Sequence, residues 1–90
     1  MKRLRIIVSG RVQAVGFRWA TQKTARQLGI NGYVRNLPNG DVEIVIEGDD
    51  IAIDRMLSWA RQGPAFARVD KFKMDEIPGP AEYTGFGVAG

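Results

Sequence analysis

The stretch Gly10-Arg11-Val12-Gln13-Ala14-Val15-Gly16-Phe17-Arg18 carries the densest chemistry in the chain. Two glycines set a turn, and Arg18 supplies a guanidinium in what the following residues make the first turn of a helix. A loop that enters a helix N-terminus directs unpaired backbone N–H groups, and the positive end of the helix dipole, at whatever occupies the loop. That is an anion site. With a guanidinium added, the expected ligand is planar or tetrahedral and oxygen-rich, a carboxylate or a phosphate. The same residues would also serve a plain turn followed by a solvated arginine, and a lone glycine-rich turn does not separate the two.

The elements around this loop decide what can join it. Leu4, Ile6 and Val8 alternate as one side of a half-buried strand. Phe17, Ala20, Thr24, Ala25 and Leu28 recur at three- and four-residue steps, giving an amphipathic helix that Gly29 ends. Asn31 to Leu37 reads as a second strand, Leu37-Pro38-Asn39-Gly40 as a tight turn, and Asp41 to Glu47 as the return strand of a hairpin. In that third strand Val42, Ile44 and Ile46 face inward, with Asp41, Glu43 and an exposed Glu47 facing out. Gly48-Asp49-Asp50 caps a second helix with the stripe Ile53, Met56, Leu57 and Ala60, and Gly63-Pro64 stops it. Arg68 to Ile77 reads as a fourth strand. After the Pro78-Gly79-Pro80 break, Tyr83 to Val88 leaves a short fifth strand open, since Gly85, Gly87 and Gly90 weaken it.

The order βαββαβ predicts an α+β sandwich, an antiparallel sheet with both helices on one face. A strand, crossover helix and strand in one sheet run parallel under the right-handed crossover rule, so the first two strands end at the same edge. The Gly10–Phe17 loop, Arg18 and Asn36 are therefore expected together, with the Asn36 amide offering donors and an acceptor to the anion site. A turn-satisfying residue beside the hairpin is the alternative for Asn36.

Composition narrows the chemistry. The 90 residues are expected to form one domain over 1–90, with a core that needs no disulfide or structural metal. There is no cysteine and no histidine, which excludes thiolate or imidazole metal ligation and phosphocysteine or phosphohistidine intermediates. Lys plus Arg outnumber Asp plus Glu by 13 to 10, and the scattered +3 suits a small anion better than nucleic acid, which needs a clustered basic face. Residues 3–10 and 41–48 carry no aromatic for base stacking, so no nucleic-acid partner is expected. The apolar run after Met1-Lys2-Arg3 is broken by Arg5, too short for a signal segment, and no stretch could span a bilayer. A cytoplasmic location, no membrane partner and a monomer are the expectations. Trp19 and Trp59 are expected as partly buried packing residues.

Taken together, Gly10-x-Val12-Gln13-x-Val15-x-Phe17-Arg18, then Gly32-Tyr33-Val34-Arg35-Asn36-x-x-x-Gly40-x-Val42 and Gly48, closely resemble the two signature segments of the acylphosphatase family. The Gly63-Pro64-Ala65 break followed by Val69 also looks like that family's link from second helix to fourth strand. The resemblance implies a ferredoxin-like fold and hydrolysis of a carboxyl–phosphate anhydride, with an acyl phosphate as substrate and inorganic phosphate as product. It implies that Arg18 binds the phosphate, that the backbone of Gln13, Ala14, Val15, Gly16 and Phe17 cradles its oxygens, and that Asn36 orients the attacking water. One position departs from the family pattern: Ala14 stands where glycine is usual. If that residue needs φ > 0, alanine costs on the order of 1 kcal/mol and tilts the amide meant for the phosphate. A carboxylate leaves without protonation, and no paired carboxylates adjoin either segment, so no cofactor and no metal are expected.

Overall fold

A computed structural model of the chain describes residues 1–89, and Gly90 at the end of the expected domain lies outside the described residues. The elements run β1 (Lys2–Arg11), α1 (Phe17–Leu28), β2 (Asn31–Asn36), β3 (Val42–Gly48), α2 (Asp50–Gln62), β4 (Arg68–Glu76) and β5 (Phe86–Val88). The strands form one sheet in the order β4-β1-β3-β2-β5. β1 and β2 both run antiparallel to β3 between them, so they are parallel to each other and end at the same edge, as expected.

The expected antiparallel sheet holds for four strands, while the open fifth strand forms over Phe86–Val88 and pairs parallel to β2, making the sheet mixed. The glycines do not abolish it because it is tied down from outside. The Gly32 and Ala89 amides donate to the Gly85 and Val34 carbonyls at 2.8 Å, and Phe86 is buried in the core.

One face of the sheet buries Leu4, Ile6, Val8, Val34, Val42, Ile44 and Ile46 against Phe17 and Ala25 of α1 and Ile53, Met56 and Ala60 of α2. The buried line on α1 is Phe17, Thr21 and Ala25. Thr21 takes a place expected of Ala20 and Thr24, and its hydroxyl is satisfied there by donating to the Phe17 carbonyl at 2.7 Å. α2 starts on Asp49, whose carboxylate accepts from the Ala52 amide at 2.9 Å, a cap worth about 1 kcal/mol.

The opposite face of the sheet corrects one expectation. Glu47 is not exposed: it is 1% exposed, and Glu43 2%. Arg5 and Arg35 each donate Nε to Glu43, the latter at 2.6 Å, and the Tyr33 hydroxyl donates at 3.0 Å. Glu47 accepts from Arg3 at 3.2 Å and from the backbone amides of Glu82 and Tyr83 at 2.8 and 2.9 Å. The polar side of β3 is thus roofed by long side chains and by the C-terminal segment, long-range contacts that a period-2 pattern does not encode.

Candidate active site

The sheet register sets the level of the site. Val8 and Asn36 both pair with Val42, so the three residues form a row across β1, β3 and β2. With neighbouring strands about 4.8 Å apart, the ends of β1 and β2 stand roughly 10 Å from one another, a span the loop after β1 can cover. That loop leaves β1 through a register shift at Ser9/Gly10. Gly10 has φ 127°, and a Cβ there would collide with the Arg68 carbonyl of the neighbouring strand.

Between Val12 and Phe17 the chain makes a bend with two left-handed residues, Ala14 at φ 59° and Gly16 at φ 77°. Ala14 is the only non-glycine residue with positive φ among the described residues. The condition under which alanine strains the loop is therefore met. Gly16 is the N-cap of α1, no side chain caps that helix start, and no acidic residue lies in its first turn. A helix start without a capping side chain or a first-turn carboxylate is a favourable place for an anion. Phe17, the first helical residue, is 1% exposed and packs against Trp59 at 5.7 Å between ring centroids. Gly63 at the end of α2 leaves room for it, since a Cβ would lie 2.8 Å from the Phe17 ring.

These features enclose a cleft of ≈ 270 Å³ lined by Val12, Ala14, Gly16, Phe17, Arg18, Trp19, Gln22, Asn36 and Val88. The structure so brings together Arg18, Asn36, Ala14, Gly16 and Phe17 of the residues expected from sequence. Gln13 and Val15 do not line it. Val15 packs against the core, and the Gln13 side chain turns to the hairpin, its Nε2 donating to the Leu37 and Asp41 carbonyls at 2.8 Å each. Those carbonyls also close the β2–β3 turn, accepting from the Gly40 and Leu37 amides. Gln13 therefore ties the loop to the turn that follows Asn36.

Asn36 contributes an unusual atom. Its Oδ1 is buried and has no hydrogen-bond partner among the described residues. A buried acceptor left unpaired costs roughly 1–3 kcal/mol, which a bound water or ligand hydrogen would relieve.

Sequence reasoning missed Val12, Trp19, Gln22 and Val88. Gln22 was legible in principle, lying four residues after Arg18 and so on the same helix face. Trp19 corrects an expectation: it is 64% exposed and not partly buried. It stands two residues from both Phe17 and Thr21, about 200° around the helix from the buried line. Trp59 is half-buried, as expected. Among the described residues no carboxylate lines the cleft, and no group of three or more acidic, histidine or cysteine side chains could hold a metal ion. No helix of the described residues is long and apolar enough to cross a membrane.

The chain matches the acylphosphatase family model over residues 4–88. It is 48% identical to an acylphosphatase of Thermococcus kodakarensis with 100% of both chains covered, and 46% identical to one of Methylococcus capsulatus over 98% of this chain and 96% of that one. Its fold superposes on the crystal structure of acylphosphatase from Bacillus subtilis with a TM-score of 0.94 at 34% identity, covering 99% of each chain.

Proposed function

The chain belongs to the acylphosphatase family and is a hydrolase of that family, and from that premise we propose that Arg18 and the loop amides hold the phosphate of a small acyl phosphate while Asn36 orients the water that cleaves it. The observation that carries this reading is the convergence of Arg18, the left-handed loop and Asn36 on one cleft. The loop backbone assigned to the phosphate runs from Gln13 to Phe17. Gln13 acts there through its backbone and, by its side chain, as the tie that keeps loop and Asn36 in register.

The chemistry needs little more. Water attacks phosphorus opposite the acyl oxygen, the new P–O bond forms as the acyl P–O bond breaks, and the carboxylate leaves with the bonding pair. It needs no general acid, because a carboxylate is stable at neutral pH. The unpaired Asn36 Oδ1 is an acceptor that a water O–H would satisfy, which fixes the direction of the water's lone pair. An amide cannot take the proton, so the proton passes to a phosphate oxygen of the substrate. Arg18 and the helix-start amides stabilise charge on the equatorial oxygens, and in phosphoryl transfer such electrostatic stabilisation does most to lower the barrier. The family match over residues 4–88 supports reading residues 1–90 as one catalytic domain.

The test is release of inorganic phosphate from acetyl phosphate at neutral pH with a strong chelator present. The expected result is catalysed release that persists in chelator and is inhibited competitively by inorganic phosphate. Release no faster than in buffer alone would reject the reading.

A further inference from the structure

The cleft has more wall than phosphoryl transfer uses. Next to Arg18 and Asn36 it is lined by Trp19 of α1 and Val88 of β5, side chains that no step of hydrolysis requires. Trp19 is 64% exposed and Val88 45%. A solitary exposed apolar residue is ordinary, but these two come from separate elements onto one concave surface. Both are held in place. Lys23, one helical turn beyond Trp19, sets its Nζ 5.1 Å from the centre of the indole, a cation–π contact that restrains the ring. Lys23 lines the neighbouring groove, which Trp19 shares, and not the cleft. The indole thus borders both the cleft and the groove that Lys23 lines. Val88 is fixed by pairing with Val34, and its strand by Gln22 and Arg26, which donate to the Phe86 carbonyl at 3.4 and 3.2 Å.

Trp19 lines the same cleft as Arg18, whose guanidinium takes the phosphate in the proposed reaction. An acyl group joined to that phosphate through one oxygen has to extend along the cleft. We infer that Trp19 and Val88 form the acyl-binding wall and select acyl phosphates with a flat, apolar acyl group over those with a minimal one. The inference rests on the proposed hydrolysis of acyl phosphates. An aromatic acyl group can lie offset or edge-on to the indole and cover both side chains, whereas an acetyl group is too small to gain from either.

The experiment compares kcat/KM for benzoyl phosphate and acetyl phosphate in the native chain, Trp19→Ala, Trp19→Phe and Val88→Ser. Dividing the two values within each protein, then comparing proteins, cancels the intrinsic reactivity of the substrates. The benzoyl-to-acetyl ratio is expected to fall roughly three- to tenfold in Trp19→Ala, the size of one aromatic contact, and to fall through KM more than kcat. Trp19→Phe retains most of the native ratio, and Val88→Ser shifts it in the same direction as Trp19→Ala. An unchanged ratio in Trp19→Ala overturns the inference whatever happens to the absolute rates. A native chain that hydrolyses neither compound overturns the hydrolase reading, and this one with it, so the two failures are distinguishable.

Discussion

Ala14 holds a conformation that alanine pays about 1 kcal/mol to adopt, φ 59° in the wall of the cleft. Ala14→Gly is predicted to raise the urea midpoint by the equivalent of roughly 0.5 to 1 kcal/mol, the relief exceeding the added freedom of the unfolded chain. It is predicted to raise kcat/KM as well, since an unstrained loop can settle its amide on the phosphate oxygen. A lower midpoint with unaltered turnover would show that alanine sits there without strain. Asn36 makes a different demand. With the water contact proposed for it, Asn36→Ala is predicted to lower kcat by roughly a hundredfold or more while inhibition by inorganic phosphate changes little; equal loss of both would mean that Asn36 binds phosphate instead. At this scale the sequence was informative where residue type is unambiguous. Glycines and an arginine at a strand-to-helix junction mark the left-handed loop and the helix start that line the cleft, whereas the exposure of Trp19 depends on which of two overlapping stripes on the helix packs against the sheet.

The loop, the hairpin and the sheet edge act as one piece because Gln13 joins them. Its Nε2 makes two bonds at 2.8 Å to carbonyls that flank the turn after Asn36. Gln13→Ala removes both and is predicted to cost roughly 1–3 kcal/mol of stability. It should also lower kcat more than phosphate affinity, because loop and asparagine lose their common register; a stability loss with kcat intact would make Gln13 a purely structural brace. The element order, the hairpin and the helix stops were legible, since each is written in local periodicity and in glycine, proline or aspartate chemistry. The Gln13 tie and the burial of Glu47 were not. Both depend on partners more than 20 residues away, Leu37 for one and Arg3, Glu82 and Tyr83 for the other. The fifth strand was left open for the same reason, as its three residues acquire a strand only by docking on β2 and α1.

For the molecule as a whole, acid is predicted to separate stability from catalysis. Burial pushes the Glu43 carboxyl up, but hydrogen bonds from Arg5, Arg35 and Tyr33 outweigh it and leave the group below its ordinary value. Glu47 is likewise held low, burial being outweighed by the Tyr83 and Glu82 amides and by Arg3. Carboxyls with a lowered folded-state pKa contribute stability that is complete above their unfolded value, about 4.3, and lost as pH falls through the folded values. The melting temperature should therefore fall below about pH 4, and Glu43→Gln should make that fall shallower; a slope the same as native would show that Glu43 does not contribute to it. Catalysis has no such dependence near neutrality. With no histidine or cysteine in the chain and no carboxylate among the described residues that line the cleft, kcat should vary little between about pH 5 and 8 once substrate ionisation is allowed for, and a tenfold climb from pH 6 to 8 would point to a general base outside that lining. The central claim is tested most directly by the turnover of acetyl phosphate by Arg18→Ala, measured beside its thermal melt. The prediction is a fall of about a thousandfold in kcat/KM with the native fold retained, and little recovery in Arg18→Lys, because a point charge does not reproduce the guanidinium fork. A folded Arg18→Ala variant that turns over acetyl phosphate at near-native rate would contradict it.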